Sequence, residues 1–158
     1  MIDKSITEVL KLLNISDGRN KPQIIVITQE EMQTNAIAAY NPIKNIMYIS
    51  DMLGREEMLK YQEQFACPKD MISTVLHEFI HWKDAEIYRQ KHGEFTSKEL
   101  YDAYIDYLND KSKKQLDKLC GKSYNFYNIS EYAGNKYKEG KEIFETYTEY
   151  RVKQLLEG

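Results

Sequence analysis

One stretch near the middle of the chain, residues 77–81 with the sequence HEFIH, limits most strongly how the chain can fold. Over residues 70–91 the apolar side chains recur at helical spacing and cover one arc of about 140°. His77 and His81 lie opposite that arc, one turn apart on the same face. The pattern therefore predicts a helix with one face in the core and another that offers two imidazoles to a single metal ion.

The segment before this helix carries strand and turn signals. Residues 23–28 form a short, continuous, β-branched run, which predicts a largely buried strand. Residues 36–40 and 45–49 are two further apolar runs, and the turn formers Asn41 and Pro42 between them predict a hairpin. We expect the three strands to form one small sheet.

Helical spacing recurs through most of the remaining chain. We expect a capping box at Thr96–Glu99 and a C-cap at Gly93, and we expect residues 121–135, rich in Asn, Gly and Ser, to be irregular. The predicted helices cover residues 2–14, 55–65, a stretch from 98 through 108 with a continuation to 119, and a stretch from 138 or 141 to 156. A small sheet with several helices places the chain in the α+β class.

Length and composition limit the class of protein. A chain of 158 residues with 42% apolar and 30% charged residues favours one globular domain over residues 1–158. The net charge is −3 with both signs interleaved, which does not favour a nucleic-acid partner. No apolar run approaches the ~20 residues of a membrane span, and residues 1–4 do not begin a signal peptide. We therefore expect a cytoplasmic protein with no membrane partner.

The two cysteines, Cys67 and Cys120, lack the C-x-x-C spacing of a metal or redox motif. Without a secretion signal we expect two free, mostly buried thiols. The aromatic residues, including Trp82 and most of the tyrosines, are expected in the core and at its rim.

A hydrolytic zinc site takes three protein ligands and keeps a position for water. If the chain continued in the metzincin pattern after His81, glycine and histidine would follow at positions 84 and 87, where it has Asp and Ile. The remaining histidine, His92, is predicted to be an exposed helix-end residue, about 16 Å from His81 by helical rise. A glutamate on a later helix remains as the third ligand.

Glu145 and Glu149 share one face of the predicted last helix by their i,i+4 spacing. With the HEFIH helix they resemble the gluzincins, zinc metallopeptidases in which H-E-x-x-H is followed by a glutamate ligand on a second helix. The local pattern is similar to that of small intracellular, phage- or mobile-element-type minimal gluzincins. The resemblance implies Zn²⁺ held by His77, His81 and Glu145, with Glu149 hydrogen-bonding a zinc-ligating histidine. For the third ligand, Glu149 and Glu142 remain alternatives.

The resemblance covers about residues 36–92 and 141–156. It implies a zincin-like fold, in which a three-stranded sheet with a hairpin packs on the motif helix and an edge strand pairs with an extended substrate. Residues 93–140 would then be a helical, Tyr-rich insertion, and one of its tyrosines could stabilise an oxyanion.

The function implied is a zinc-dependent metallopeptidase, an endopeptidase acting on a protein or peptide. Zinc activates a water, and Glu78 serves as general base. Two alternatives stay open. One is a narrow regulatory protease that cleaves one partner, such as a repressor. The other is a non-catalytic metal-binding or protein-interaction module with the zincin fold.

Overall fold

The computed structural model describes residues 2–15, 20–34, 36–55 and 71–158. Within these residues it contains a mixed three-stranded sheet and six α-helices, so the predicted α+β class is confirmed. The elements are α1 (Ile2–Leu12), β1 (Gln23–Ile27), α2 (Gln29–Met32), β2 (Ala38–Asn41), β3 (Ile46–Ser50), α3 (Met71–His92), α4 (Lys98–Cys120), a 3₁₀ turn (Phe126–Asn128), α5 (Glu131–Glu139) and α6 (Ile143–Glu157).

The described residues form two compact units, one up to Glu94 and one over Phe95–Gly158. The single domain over residues 1–158, with 93–140 as an insertion, stays a prediction. In the part of the chain that the structure describes, no helix has both the length and the apolarity needed to cross a membrane.

The predicted hairpin is confirmed. Strand β3 is central, antiparallel to β2 and parallel to β1. Between β2 and β3, Asn41 Oδ1 accepts hydrogen bonds from the N–H groups of Ile43 and Lys44 at 3.0 and 3.1 Å. Asn45 closes the turn with φ 54°, a left-handed conformation that asparagine tolerates better than most residues. The turn signals in the sequence therefore act through these specific bonds.

The faces of the sheet differ in how well they are covered. Met47 and Ile49 of β3 are fully buried, as expected for an inward face. The strand predicted over residues 23–28 is confirmed as β1, but the prediction that it is largely buried is wrong, because Val26 is 51% exposed. In the sheet order β1-β3-β2, β1 is an edge strand, and a continuous apolar run does not distinguish an edge from a central position.

Helix α3 follows the prediction closely and packs against α1 and β2. Trp82 is in the core as expected, and its indole Nε1–H donates to the Asn20 carbonyl at 2.9 Å. The buried apolar side chains of the helix are Val75, Leu76, Phe79, Ile80, Trp82 and Ala85. The predicted C-cap is confirmed at Gly93, whose φ of 84° suits a residue without Cβ and whose N–H donates to the Arg89 carbonyl at 2.8 Å.

The first helix is confirmed over Ile2–Leu12. Some other predictions fall outside the described residues. Residues 56–65 of the helix predicted over 55–65 lie outside the described part, as does Cys67. Cys120 is a free thiol at the end of α4, only partly buried, and burial raises its pKa above the ordinary value.

In the second unit, a helix stands where irregular structure was predicted. The prediction for residues 121–135 is wrong from Glu131 onward, where α5 begins. Ser130 caps this helix, its Oγ accepting from the Ala133 N–H at 3.0 Å. Gly134 weighed against a helix in the sequence, but a Cβ there would overlap the Tyr127 ring, so close packing requires glycine. The last helix, α6, is confirmed and packs against α4 and α5.

The start of α4 differs from the prediction by one residue. Its N-cap is Ser97, whose side chain accepts from the Leu100 N–H at 3.2 Å. The capping box predicted at Thr96–Glu99 is therefore wrong, because the third residue of the helix is Leu100, which has no carboxylate to return the bond.

This assignment predicts which hydroxyl matters for stability. We expect Ser97→Ala to lower the free energy of unfolding by about 1 kcal/mol through loss of the cap. Thr96→Ala is the matched control and should change it by less than about 0.5 kcal/mol. Urea denaturation of both variants measures the difference, and a larger loss for Thr96→Ala would move the cap back to that residue.

Candidate metal centre

The three residues of the H-E-x-x-H motif come together on α3. The candidate ligand atoms of His77, Glu78 and His81 all lie within 4.8 Å of one another. The two imidazole centroids are 4.8 Å apart with their planes at 79°. Among the described residues, this is the one group of three histidine, cysteine or acidic side chains close enough to hold a metal ion. Helical spacing alone therefore produces the predicted pair of imidazoles.

The group is partly withdrawn from water. His77 is only 7% exposed, while Glu78 and His81 are half-buried. His92 is exposed at the end of the same helix, as predicted, with its ring 4.3 Å from that of Tyr88. One imidazole of the group is therefore buried, while its two neighbours remain partly accessible to solvent.

The carboxylate of Glu78 is held by the sheet. Its Oε2 accepts a hydrogen bond from the backbone N–H of Tyr40 at 2.9 Å. The Ser50 N–H donates to the Ile37 carbonyl at 2.7 Å, so the backbone N–H and C=O of Ile37 point toward β3. Because these groups alternate in direction along a strand, the N–H of Tyr40 points away from β3. The outer edge of β2 therefore faces α3 and fixes one oxygen of Glu78.

A buried cation joins the same strand to the far end of α3. Arg89 donates through Nε to Glu86 Oε1 at 3.1 Å and through Nη1 to the Pro42 carbonyl at 3.0 Å. Its Nη2 donates to the Tyr40 hydroxyl at 3.0 Å and to Asn45 Oδ1 at 3.3 Å. The Tyr40 hydroxyl in turn donates to Asn45 Oδ1 at 2.8 Å. The hairpin turn is thus bonded to α3 at several points.

The ionisation of this network follows from its burial. Burial raises the pKa of Tyr40 to about 12, although Arg89 acts in the opposite direction. Burial also acts to lower the pKa of Arg89, but hydrogen bonds and charges from Tyr40 and Glu86 raise it above its ordinary value. At neutral pH the tyrosine is therefore a neutral hydroxyl and the arginine a fixed cation.

Sequence reasoning did not single out Tyr40 or Arg89. The signal that could have found Arg89 is an opposite-charge pair, Glu86 and Arg89, three residues apart where the apolar face of α3 would otherwise continue. Nothing in the local sequence marks Tyr40, because its role depends on a pairing with a helix far along the chain.

The two predicted acidic residues of the site lie on α6, in the second unit. Glu145 Oε2 accepts from the Tyr132 hydroxyl at 2.6 Å. Glu149 is 1% exposed, and its Oε1 accepts from Ser130 Oγ at 3.0 Å. A carboxylate so deeply buried is rare unless it is hydrogen-bonded. The roles of Glu145 as third ligand and of Glu149 as partner of a ligating histidine stay predictions.

The donor set is compatible with zinc. Two imidazoles and a nearby carboxylate suit zinc, and they also suit other first-row transition metals such as iron or nickel.

A scan of protein-family models, a search of curated proteins and a search of solved structures each find no match to this chain. The α+β fold and the His-Glu-His group are thus the observations on which a functional proposal rests.

Proposed function

We propose that the protein is a zinc-dependent metallopeptidase, an endopeptidase of the gluzincin type with a zincin-like fold. The observation that carries this proposal is the close group of His77, Glu78 and His81 on one face of α3. The apolar face of α3 is buried, so the helix is held in place, and the two imidazoles lie on its opposite face. The resemblance of the sequence to small gluzincins supplies the reaction class.

In this proposal His77 and His81 hold the zinc ion, and Glu145 is the third ligand. A zinc ion bound there would polarise a carbonyl and lower the pKa of a water toward about 7. Glu78 takes the proton of the attacking water and passes it to the leaving amine. The hydrogen bond from the Tyr40 N–H holds the carboxylate while it does so.

A protein or peptide substrate is favoured by the position of β2. This strand is at an edge of the sheet, and its outer side faces the helix that carries the motif. Extended peptides bind to sheet edges by adding a strand, with main-chain hydrogen bonds for affinity and alternate side chains for selectivity. A substrate strand at β2 would have to use outward backbone groups other than the Tyr40 N–H, which donates to Glu78. The resemblance predicts the same mode of binding.

Metal content and cleavage test the proposal together. We expect the untagged full chain to carry one zinc per chain by elemental analysis and to cleave members of a mixed peptide library. A zinc chelator should remove both the metal and the cleavage, and added zinc should restore them, because the ion supplies the electrophile.

The outcomes separate the alternatives. A chain that binds no zinc at micromolar concentration would show that the His-Glu-His group is not a metal site. Zinc binding without cleavage of any peptide or of candidate partner proteins would instead favour a metal-binding module without turnover. Cleavage of one protein and no library peptide would favour a narrow regulatory protease.

A further inference from the structure

Tyr40 makes hydrogen bonds to two side chains of α3 that are far apart. Its backbone N–H donates to Glu78 Oε2 at 2.9 Å, and its phenol oxygen accepts from Arg89 Nη2 at 3.0 Å. Glu78 and Arg89 are separated by about 16 Å along the helix axis. A single residue on the edge strand therefore connects two side chains whose positions on α3 are three helical turns apart, and one of them is the general base of the proposed reaction.

The far end of this connection is rigid. Arg89 is buried, and its guanidinium is also bonded to Glu86, to the Pro42 carbonyl and to Asn45 Oδ1. A guanidinium is planar and pre-organised, so it loses little side-chain entropy for each hydrogen bond that it makes to these partners. Because the Tyr40 hydroxyl also donates to Asn45, neither the tyrosine ring nor the hairpin turn can shift without breaking several bonds.

We propose that Tyr40 and Arg89 are positioning residues that set the orientation of the Glu78 carboxylate by fixing the outer edge of β2 against α3. The inference rests on the proposed function in assigning Glu78 as general base. The hydrogen-bond geometry that supports it does not depend on that assignment. Tyr40 contacts Glu78 through its backbone N–H, and its side chain with Arg89 acts on catalysis through the placement of that carboxylate.

Amide hydrogen exchange tests the connection without any activity measurement. In the full chain we expect the residue 40 amide to exchange at least about 10-fold faster in Tyr40→Phe, since the strand edge is no longer held against Glu78. Arg89→Met should have the same effect. Tyr48→Phe is the matched control, because it removes a phenol oxygen from the neighbouring strand and should leave this amide unchanged. Equal exchange in wild type and Tyr40→Phe would overturn the proposal.

Kinetics test the consequence for catalysis. We expect Tyr40→Phe to lower kcat about 10-fold with KM and zinc affinity unchanged, less than the ~100-fold that a misplacement of ~1 Å can cost. The double variant with Arg89→Met should fall no further than either single variant, because both act through one connection. Arg89→Lys should restore less than half of the kcat that Arg89→Met loses, since an ammonium cannot make the same set of hydrogen bonds as a guanidinium.

Two results would contradict the inference while leaving the proposed function in place. One is a change in KM or zinc affinity that accounts for the whole loss. The other is strictly additive losses in the double variant. If Arg89→Met does not fold because Glu86 is left buried without its cation, Tyr40→Phe decides alone. If wild type shows no hydrolysis, the proposed function fails, and the exchange experiment still decides whether Tyr40 and Arg89 hold Glu78.

Discussion

Glu78→Gln is expected to lower kcat by about 10³-fold, at the upper part of the ~10²–10⁴-fold range of general-base catalysis. The glutamine has nearly the same shape, and its carbonyl oxygen can still accept the hydrogen bond from the Tyr40 N–H. It has no basic oxygen to take a proton from water. Zinc content should therefore remain at the wild-type level while peptide cleavage is lost, as measured by elemental analysis and steady-state kinetics on the same preparation.

The control for this prediction is Glu99→Gln, which makes the same chemical change at an exposed position in the first turn of α4. It should leave kcat and zinc content unchanged. Two outcomes would contradict the assigned role. If Glu78→Gln keeps more than half of the wild-type kcat, Glu78 is not the base. If it loses zinc together with activity, Glu78 is a metal ligand.

If Glu145 is the third ligand, as proposed, Glu145→Ala is expected to weaken zinc binding by more than about 100-fold, because loss of a direct ligand should exceed the ~10–100-fold that outer partners contribute. Glu149→Gln should weaken zinc binding by only ~10–100-fold if Glu149 bonds a ligating histidine. Competition with a chromogenic chelator measures both affinities. Thermal unfolding of the zinc-free proteins shows whether either change acts through the fold.

Two matched variants separate the roles of the carboxylates on and near α6. Tyr132→Phe removes the hydroxyl that bonds Glu145 but leaves the carboxylate, so zinc affinity should fall far less than in Glu145→Ala. Glu142 pairs with Lys136 at 2.9 Å, and Glu142→Ala should leave the affinity unchanged. A larger loss for Glu149→Gln or Glu142→Ala would transfer the ligand role to that residue. No loss in any of them would exclude α6 as the source of the third ligand and with it the gluzincin assignment.

The elements predicted correctly are those whose causes lie within a few residues. The pair His77 and His81 needs only the helical repeat, and the apolar arc on the opposite side of the helix explains why α3 forms. The hairpin follows from Asn41 Oδ1 bonding two nearby N–H groups, which is a property of the turn itself. Gly93 ends α3 for an equally local reason, its positive φ.

The predictions that are wrong concern features that the surrounding structure determines and the local sequence does not. Helix α5 was missed because Gly134 counts against a helix until the Tyr127 ring that packs on it is known. The exposure of Val26 could not be predicted, since sequence does not show that β1 is an edge strand. At Thr96–Glu99 two adjacent hydroxyl residues could each cap the helix, and only the path of the chain selects Ser97.

The sequence by itself therefore determined the helix that carries His77, Glu78 and His81, because helical geometry alone brings side chains one turn apart onto one face. Only the tertiary structure decided which polar groups leave water and what they bond there. Glu149 is buried on Ser130, and Arg89 is buried on the hairpin that holds Glu78. The cost of burying a polar group is offset only by a partner in the right place, and that partner lies far away in the chain.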